Sequence, residues 1–180
     1  MLFKIQKFTT LIRSQNCVIM SKEKLPENEV ENTIELVKCS CLVDKVGGPF
    51  GAFVFDENGK VVGRGVNKVI GNNDPTAHAE IVAIRNACKN LGTHDLSGYF
   101  LYATGKPCPM CMSAIIWSNI KKVYYSATFE DASEIGFRDD FIFKFLKEDC
   151  TDTTVLELSH HPNQKLKDVY KAYSQQGEIY

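Results

Sequence analysis

Two short motifs constrain the fold of this chain more than any other feature, because together they require two helix starts to lie side by side. The first, "HAE", comprises residues 78–80 and precedes a run of helical periodicity, and the second, "PCPMC", comprises residues 107–111. Cys108 and Cys111 are three residues apart, so their sulfur atoms point to the same side of a helix. With His78 they form a set of two thiols and one imidazole, which suits a tetrahedral zinc site that leaves one position to water.

Each motif alone has a plainer explanation. An acidic residue in the first turn of a helix complements the helix dipole, and a lone C-x-x-C can be a redox pair or half of a structural zinc site. Their combination resembles the signature of zinc deaminases, in which the glutamate moves protons and does not bind the metal. We therefore predict that Zn²⁺ is held by His78, Cys108 and Cys111, and that Glu80 is the catalytic acid and base.

The rest of the chain alternates short apolar strands with helices. "GAFVF" and "VVGRGV" flank an Asn-Gly turn and predict a hairpin, while "FLYATG", "KVYYSA" and "TTVLELS" predict three further strands. Helical periodicity is found from Pro26 to Lys45, after both motifs, in one or two helices within residues 131–147, and near the C-terminus. This alternation indicates an α/β layered fold with a mixed sheet.

Composition limits the classes of protein to which the chain can belong. A net charge of −1 argues against a protein that grips nucleic acid, and the sequence has no run approaching the roughly 20 apolar residues of a membrane span. Seven cysteines without a disulfide-like spacing favour a reducing compartment, so we expect a cytoplasmic protein.

The N-terminus differs in character from the remainder. Residues 1–25 are basic, with no acidic residue before Glu23. They are compatible with an organelle transit peptide or with a poorly ordered extension, and Met20 is a candidate alternative start. We therefore expect an N-terminal extension over residues 1–25 and one domain over residues 26–180.

From about residue 46 the chain resembles the cytidine deaminase superfamily, and within it the bacterial guanine deaminase branch. The resemblance is carried by the segments "GGPFGAFV", "DPTAHAEIVAIRNACKNLG", "PCPMCMSAI" and "DASEIGFRDDFIFK". It implies a three-layer α/β/α cytidine deaminase-like fold with a five-stranded mixed sheet and zinc at two helix N-termini. It also implies hydrolysis of guanine to xanthine and ammonia by a homodimer that exchanges C-terminal segments.

The resemblance also implies roles for residues outside the two motifs. Asn67 and the backbone N–H groups of Ala79 and Cys108 would place the base and the zinc-bound water, and Asp139 would be a second catalytic carboxylate. Further candidates for contact with the substrate are the aromatic residues Phe50, Trp117 and, from a partner subunit, Tyr180. Plainer readings stay open, with Asn67 as a turn residue, Asp139 as a solvated one whose role Asp140 takes, and Phe50 and Trp117 as core.

Two departures from the superfamily pattern keep other substrates open. Lys106 occupies a position that is commonly glutamate, and Arg138 lies next to Asp139. The alternatives are deamination of isocytosine, guanosine or another small amino-heterocycle, or of adenosine in a tRNA loop, which uses the same H-A-E and P-C-x-M-C motifs. A zinc-stabilised module without catalysis is a third class, against which the presence of Glu80 argues.

Overall fold

In a computed structural model, the described residues 25–177 form four strands and seven helices. The strands are β1 (Gly51–Phe55), β2 (Val61–Val66), β3 (Phe100–Gly105) and β4 (Lys122–Ala127). The helices are α1 (Glu27–Lys38), α2 (Val69–Asn72), α3 (Ala79–Leu91), α4 (Pro109–Trp117), α5 (Phe129–Glu134), α6 (Asp140–Lys147) and α7 (Gln164–Gln176). A π-helical turn over Cys39–Val43 extends α1.

The strands form one mixed sheet in the order β2-β1-β3-β4. The predicted hairpin is confirmed, because β1 pairs antiparallel with β2. The hairpin turn is closed by Asp56, whose Oδ1 accepts hydrogen bonds from the backbone N–H groups of Asn58 and Lys60 at 2.9 Å each. Strand β3 is antiparallel to β1 and parallel to β4, so β2, β3 and β4 run in the same direction.

Helices cover both faces of the sheet and produce three layers. On one face, Ala52, Val54 and Leu101 pack in a buried cluster with residues of α3 and α4. On the other face, Phe53, Phe55, Phe100 and Tyr102 form a second buried cluster, against which Val30 of α1 packs. Strands β1 and β3 are therefore buried on both faces, as central strands of an α/β sheet are.

Close contact between α3 and β2 sets the position of the first motif. A Cβ atom on Gly65 would lie 2.1 Å from the carbonyl oxygen of Ala79, and one on Gly63 would lie 2.4 Å from that of Ala83. Only glycine lets the helix backbone approach the strand this closely. Ala79, Ala83 and Ala87 recur every four residues and present one small face to the sheet. The start of α3 is thereby held at the end of β2.

The prediction of a fifth strand at "TTVLELS" is wrong. Residues 153–155 form a turn, in which Asp152 Oδ1 accepts hydrogen bonds from the N–H and the hydroxyl of Thr154 at 3.0 and 2.6 Å. Aspartate favours such turns because its side chain reaches its own backbone two residues on. Leu156 and Leu158 are exposed. An alternating apolar pattern makes a strand only where a neighbouring strand is available for pairing.

Two further predictions concern the ends and the environment of the chain. The proposed N-terminal extension, residues 1–25, lies outside the described residues apart from Leu25, and Tyr180 lies outside them as well. Among the residues that the structure describes, no helix combines the length and the apolar character needed to cross a membrane.

Candidate active site

The two motifs meet because the helices that carry them begin at the same end of the sheet. Helix α3 follows β2 and helix α4 follows β3, and these strands are parallel to one another. His78 and Cys108 are the residues immediately before the two helices, and both have extended backbone conformations. Their side chains therefore lie at helix N-termini, where the helix dipole favours the thiolate form of cysteine.

The donor atoms of the three predicted ligands already have the spacing of a zinc site. The Nδ1 atom of His78 lies 3.6 Å from Cys108 Sγ and 3.6 Å from Cys111 Sγ, and the three donor atoms lie within 4.8 Å of one another. A tetrahedral zinc ion with Zn–N of about 2.1 Å and Zn–S of about 2.3 Å separates these atoms by roughly 3.6 Å. The residues present therefore fit Zn²⁺, and the open tetrahedral position fits a catalytic site.

Hydrogen bonding within the donor set favours the thiolate form of one of its two cysteines. A hydrogen bond from the Cys111 thiol, assisted by His78, lowers the pKa of Cys108, and the same hydrogen bond, together with burial, raises the pKa of Cys111. The pKa of His78 is raised, chiefly by its hydrogen bond with Cys108. A dication binding here takes the place of the shared proton and leaves both sulfur atoms as thiolates.

Glu80 is a buried carboxyl group beside the donor set and is only 7% exposed. Burial raises its pKa, and the neighbouring Cys108 adds to that effect. A carboxyl group that gives up its proton less readily than usual can both accept and deliver a proton near neutral pH. The structure thus places Glu80 where the sequence predicted an acid and base.

A cavity of about 380 Å³ opens beside these residues. This volume falls at the lower end of the roughly 300–1,000 Å³ of small-molecule pockets. The lining residues outside the donor set and Glu80 come mainly from three stretches: Gly47, Gly48, Phe50 and Gly51; Asn67, Val69, Ile70 and Pro75; and Ala132, Phe137 and Asp139, with Gly105 and Lys106 between them. The cavity is large enough for one small ring.

Asn67 faces this cavity with its amide orientation set by the backbone. Its Oδ1 accepts hydrogen bonds from the N–H groups of Gly48 at 3.3 Å and Val69 at 3.2 Å, and the residue is only 5% exposed. The Nδ2 group is thereby left as the donor for a ligand. A Cβ atom on Gly47 would lie 2.2 Å from Asn67 Oδ1, so the glycine pair of "GGPFG" makes room for this arrangement.

Two aromatic rings form the apolar part of the cavity wall. Phe50 contacts Phe137 edge to face, with ring centroids 4.9 Å apart. A Cβ atom on Gly48 would lie 2.8 Å from Phe137 Cζ, so this glycine also admits the ring. Phe50, a sequence candidate for substrate contact, lines the cavity, as does Phe137, which was not among the sequence candidates. The one sequence feature that pointed to Phe137 is its position directly before "RDD", which contains the candidate carboxylate Asp139.

The structure distinguishes between the two neighbouring aspartates. Asp139 lines the cavity, and its pKa is raised by burial and by the nearby Cys108. Asp140 points outward and forms a two-point ion pair with Arg138, at 3.1 Å from Nε and 2.9 Å from Nη2. Arg138 therefore neutralises Asp140, and Asp139 is the carboxylate that faces the zinc ligands.

Trp117 does not reach the cavity of its own chain, contrary to the prediction that it lines the site. Its side chain is 75% exposed, whereas Cys111 on the same helix is fully buried. Six residues at 100° per residue place Trp117 about 120° round α4 from Cys111 and roughly 9 Å further along the axis. Ala79 is in the predicted place, since it is the first residue of α3 and its N–H group has no acceptor within the helix.

Comparison with known proteins assigns the fold and the zinc set to a family. The family described as "Cytidine and deoxycytidylate deaminase zinc-binding region" has a model that matches residues 27–127. The chain belongs to this family, and the fit of its donor set makes it a zinc-dependent hydrolytic deaminase with a cytidine deaminase-like fold of four described strands.

Among its relatives, guanine deaminase of Bacillus subtilis is 46% identical over 110 residues, which cover 61% of this chain and 70% of the relative. The crystal structure of guanine deaminase from the same organism superposes with a TM-score of 0.76 and 35% identity, covering 87% of this chain and 98% of that one. A tRNA-specific adenosine deaminase of Haemophilus influenzae is 34% identical over 131 residues, covering 73% and 76% of the two chains.

Proposed function

We propose that this protein hydrolyses guanine to xanthine and ammonia. The observation that carries the proposal is that one small cavity is lined by two of the three zinc donors, His78 and Cys108, together with Glu80 and Asn67. The similarity to guanine deaminase of Bacillus subtilis supports the same substrate.

The polar groups of the cavity complement the edges of guanine. The Nδ2 donor of Asn67 suits a ring carbonyl, which guanine has and adenine lacks. The carboxylate of Asp139 suits the ring N–H and amino donors of guanine. A site that hydrogen-bonds its substrate in this way can discriminate by roughly 10⁴ against a ring that leaves buried polar groups unpaired. Adenine should therefore be a poor substrate.

The residues of the chain divide the chemistry between them. Zinc, when bound by His78, Cys108 and Cys111, supplies a water of lowered pKa as the nucleophile. Glu80 would move two protons in turn: the first from the attacking water to the ring nitrogen beside the attacked carbon, and the second from the hydroxyl formed at that carbon to the amine, which leaves as ammonia when the C–N bond breaks. The N–H groups of Ala79 and Cys108, at the two helix starts, orient the reacting groups. Phe50 and Phe137 exclude water from the faces of the ring.

The proposal extends to a homodimer in which C-terminal segments are exchanged. Supporting it, most of the described segment after α6 is exposed, and α7 presents Val169, Tyr170 and Tyr173 to solvent at 53–66% exposure. An apolar helix face of this kind is stable only when it is covered. Tyr180 would then contact the substrate across the subunit interface.

The proposed setting of the reaction is the breakdown or salvage of purine bases in the cytoplasm. The described cysteines, which include Cys39, Cys41, Cys88 and Cys150 outside the zinc set, are all free thiols. Of these four, Cys39 is exposed and the other three are half-buried, and free thiols agree with a reducing compartment.

A panel of substrates tests the proposal through release of ammonia. The panel comprises guanine, guanosine, isocytosine, adenine, cytosine and an adenosine-bearing tRNA loop, with a Glu80→Gln variant as the blank. Guanine should give the highest kcat/KM. Guanosine, which must fit a ribose into or above the cavity, is the chief rival among small substrates. Ammonia release from the tRNA loop and none from guanine would overturn the proposal in favour of RNA editing, the activity for which the Haemophilus influenzae relative is named.

A further inference from the structure

Lys106 lies at the cavity rim, between the end of β3 and the zinc ligand Cys108. Its ammonium group is 4.7 Å from the ring centroid of Phe129 and 5.9 Å from that of Tyr125. Ammonium groups within about 6 Å of a ring are attracted by the negative face of the ring. Lys106 is also anchored through its backbone, since its N–H donates to the carbonyl of Ala127 at 2.8 Å.

The ring of Phe129 connects Lys106 to the two helices beside the cavity. Phe129 is the first residue of α5, and it packs on Phe143 of α6 with ring centroids 5.1 Å apart. A capping box between Thr128 and Asp131 fixes the start of α5. Lys106, Phe129 and Phe143 thus form a continuous contact from the zinc loop to α6.

The segment between α5 and α6 carries two lining residues of the cavity, Phe137 and Asp139. It is tied to α5 through the N–H of Phe137, which donates to the carbonyl of Ala132 at 3.0 Å. Its other end is the start of α6, where the N–H of Ile142 donates to the carbonyl of Asp139 at 3.1 Å. The position of the segment therefore follows from the positions of the two helices.

We propose that Lys106 is a positioning residue, which holds α5 and the Phe137–Asp139 segment over the cavity through the ring of Phe129. Only the expected effect of Lys106 on guanine turnover rests on the proposed function; its effect on the position of the segment does not. A glutamate at position 106 would instead set a carboxylate against the negative face of Phe129. Lys106 and Phe129 therefore act as a pair, because the attraction requires both the positive charge of the lysine and the ring beside it.

Limited proteolysis tests this coupling without reference to any substrate. Arg138 is exposed in the α5–α6 segment, so trypsin cleavage after it reports local opening of that segment. Lys106 precedes Pro107, a bond that trypsin does not cut, so its replacement removes no cleavage site. In the zinc-loaded full chain, Lys106→Met and Phe129→Leu should each accelerate cleavage by about two- to five-fold, the factor expected from one partly exposed cation–π contact.

The double variant Lys106→Met/Phe129→Leu and three further variants test whether Lys106 acts through Phe129. If Lys106 acts through Phe129, the double variant should be cleaved no faster than the faster single variant. Lys106→Arg should retain the parent rate, and Lys106→Glu should exceed Lys106→Met. Lys122→Met, which removes a lysine 5.0 Å from the Tyr124 ring on β4, should leave cleavage after Arg138 unchanged. An unchanged rate in Lys106→Met, or effects that multiply in the double variant, would overturn the proposal.

Turnover adds a second readout. For guanine, Lys106→Met should raise KM by about the same two- to five-fold at unchanged zinc content, and Lys106→Arg should restore it. A Lys106→Met effect on KM that is undiminished in the Phe129→Leu background would instead assign Lys106 a direct contact with the substrate. Absence of guanine turnover in every variant, the parent included, would refute the proposed function and leave the proteolysis result unaffected.

Discussion

Replacement of Asn67 separates its structural role from its role towards the substrate. In Asn67→Ala, the N–H groups of Gly48 and Val69 lose the oxygen that they contact at 3.3 and 3.2 Å. Each such hydrogen bond contributes about 1 kcal/mol net, so the free energy of unfolding should fall by about 2 kcal/mol. For a domain of this size that corresponds to a decrease in Tm of roughly 4–8 °C.

Asn67→Asp is the matched variant. A carboxylate retains an acceptor for both N–H groups but replaces the Nδ2 donor by a second acceptor. We therefore expect a smaller decrease in Tm than in Asn67→Ala. Loss of a buried hydrogen bond costs about 1–3 kcal/mol, so kcat/KM for guanine should still fall by roughly 5- to 150-fold.

Three measurements on the parent and the two variants check this reasoning: zinc content, thermal unfolding, and ammonia release from guanine. Zinc content should be the same in all three proteins, because Asn67 does not contact the donor set. Parent-like kcat/KM in Asn67→Asp would refute the assignment of Nδ2 as the donor to the substrate. An unchanged Tm in Asn67→Ala would refute the energetic role of the two backbone contacts.

Five further variants, of which Asp140→Asn is a control, test the remaining site residues. Cys111→Ser should lose zinc and activity together; full zinc content would show that the ligand set is wrong. Glu80→Gln should retain zinc while kcat falls roughly 10²–10⁴-fold, the scale of one acid–base group, and near-normal turnover would exclude it as the proton carrier. Asp139→Asn should lower kcat/KM for guanine, whereas Asp140→Asn, its exposed neighbour, should not; the reverse result would exchange their roles. Deletion of Gly177–Tyr180 should lower turnover at normal zinc content, and mixing that chain with Glu80→Gln should restore activity if the tail serves a partner's site; unchanged kinetics would exclude the tail from the site.

The zinc donors and Glu80 could be predicted from the sequence because the spacings within each of the two motifs are local. His78 and Glu80 are two residues apart at one helix start, and Cys108 and Cys111 are three residues apart at another. Helix geometry converts such spacings directly into shared direction. Only the meeting of the two helix starts is a tertiary relation, and parallel strands β2 and β3 provide it.

The failures of prediction concern relations that depend on distant partners. The apolar alternation around Leu156 and Leu158 is a strand pattern, but hydrogen-bonding neighbours decide whether a strand forms. Trp117 was predicted from its chemistry, whereas the rotation of α4 decides which way it points. Phe137 lines the cavity because α5 and α6 bring it there, and no spacing within its own segment encodes that.

The zinc site and the substrate wall are built on different parts of the molecule. The zinc donors belong to α3 and α4, whose positions are set by buried packing on the sheet, including the contact of Ala79 with Gly65. The wall comes from the segments around Gly48, Asn67 and Phe137, which lie outside the strands. Because packed cores tolerate little change whereas loops tolerate much, the donor geometry can persist while the wall changes. This separation explains how one chain resembles deaminases named for guanine and for tRNA adenosine alike, and it makes the wall residues, rather than the zinc ligands, the determinants of the substrate.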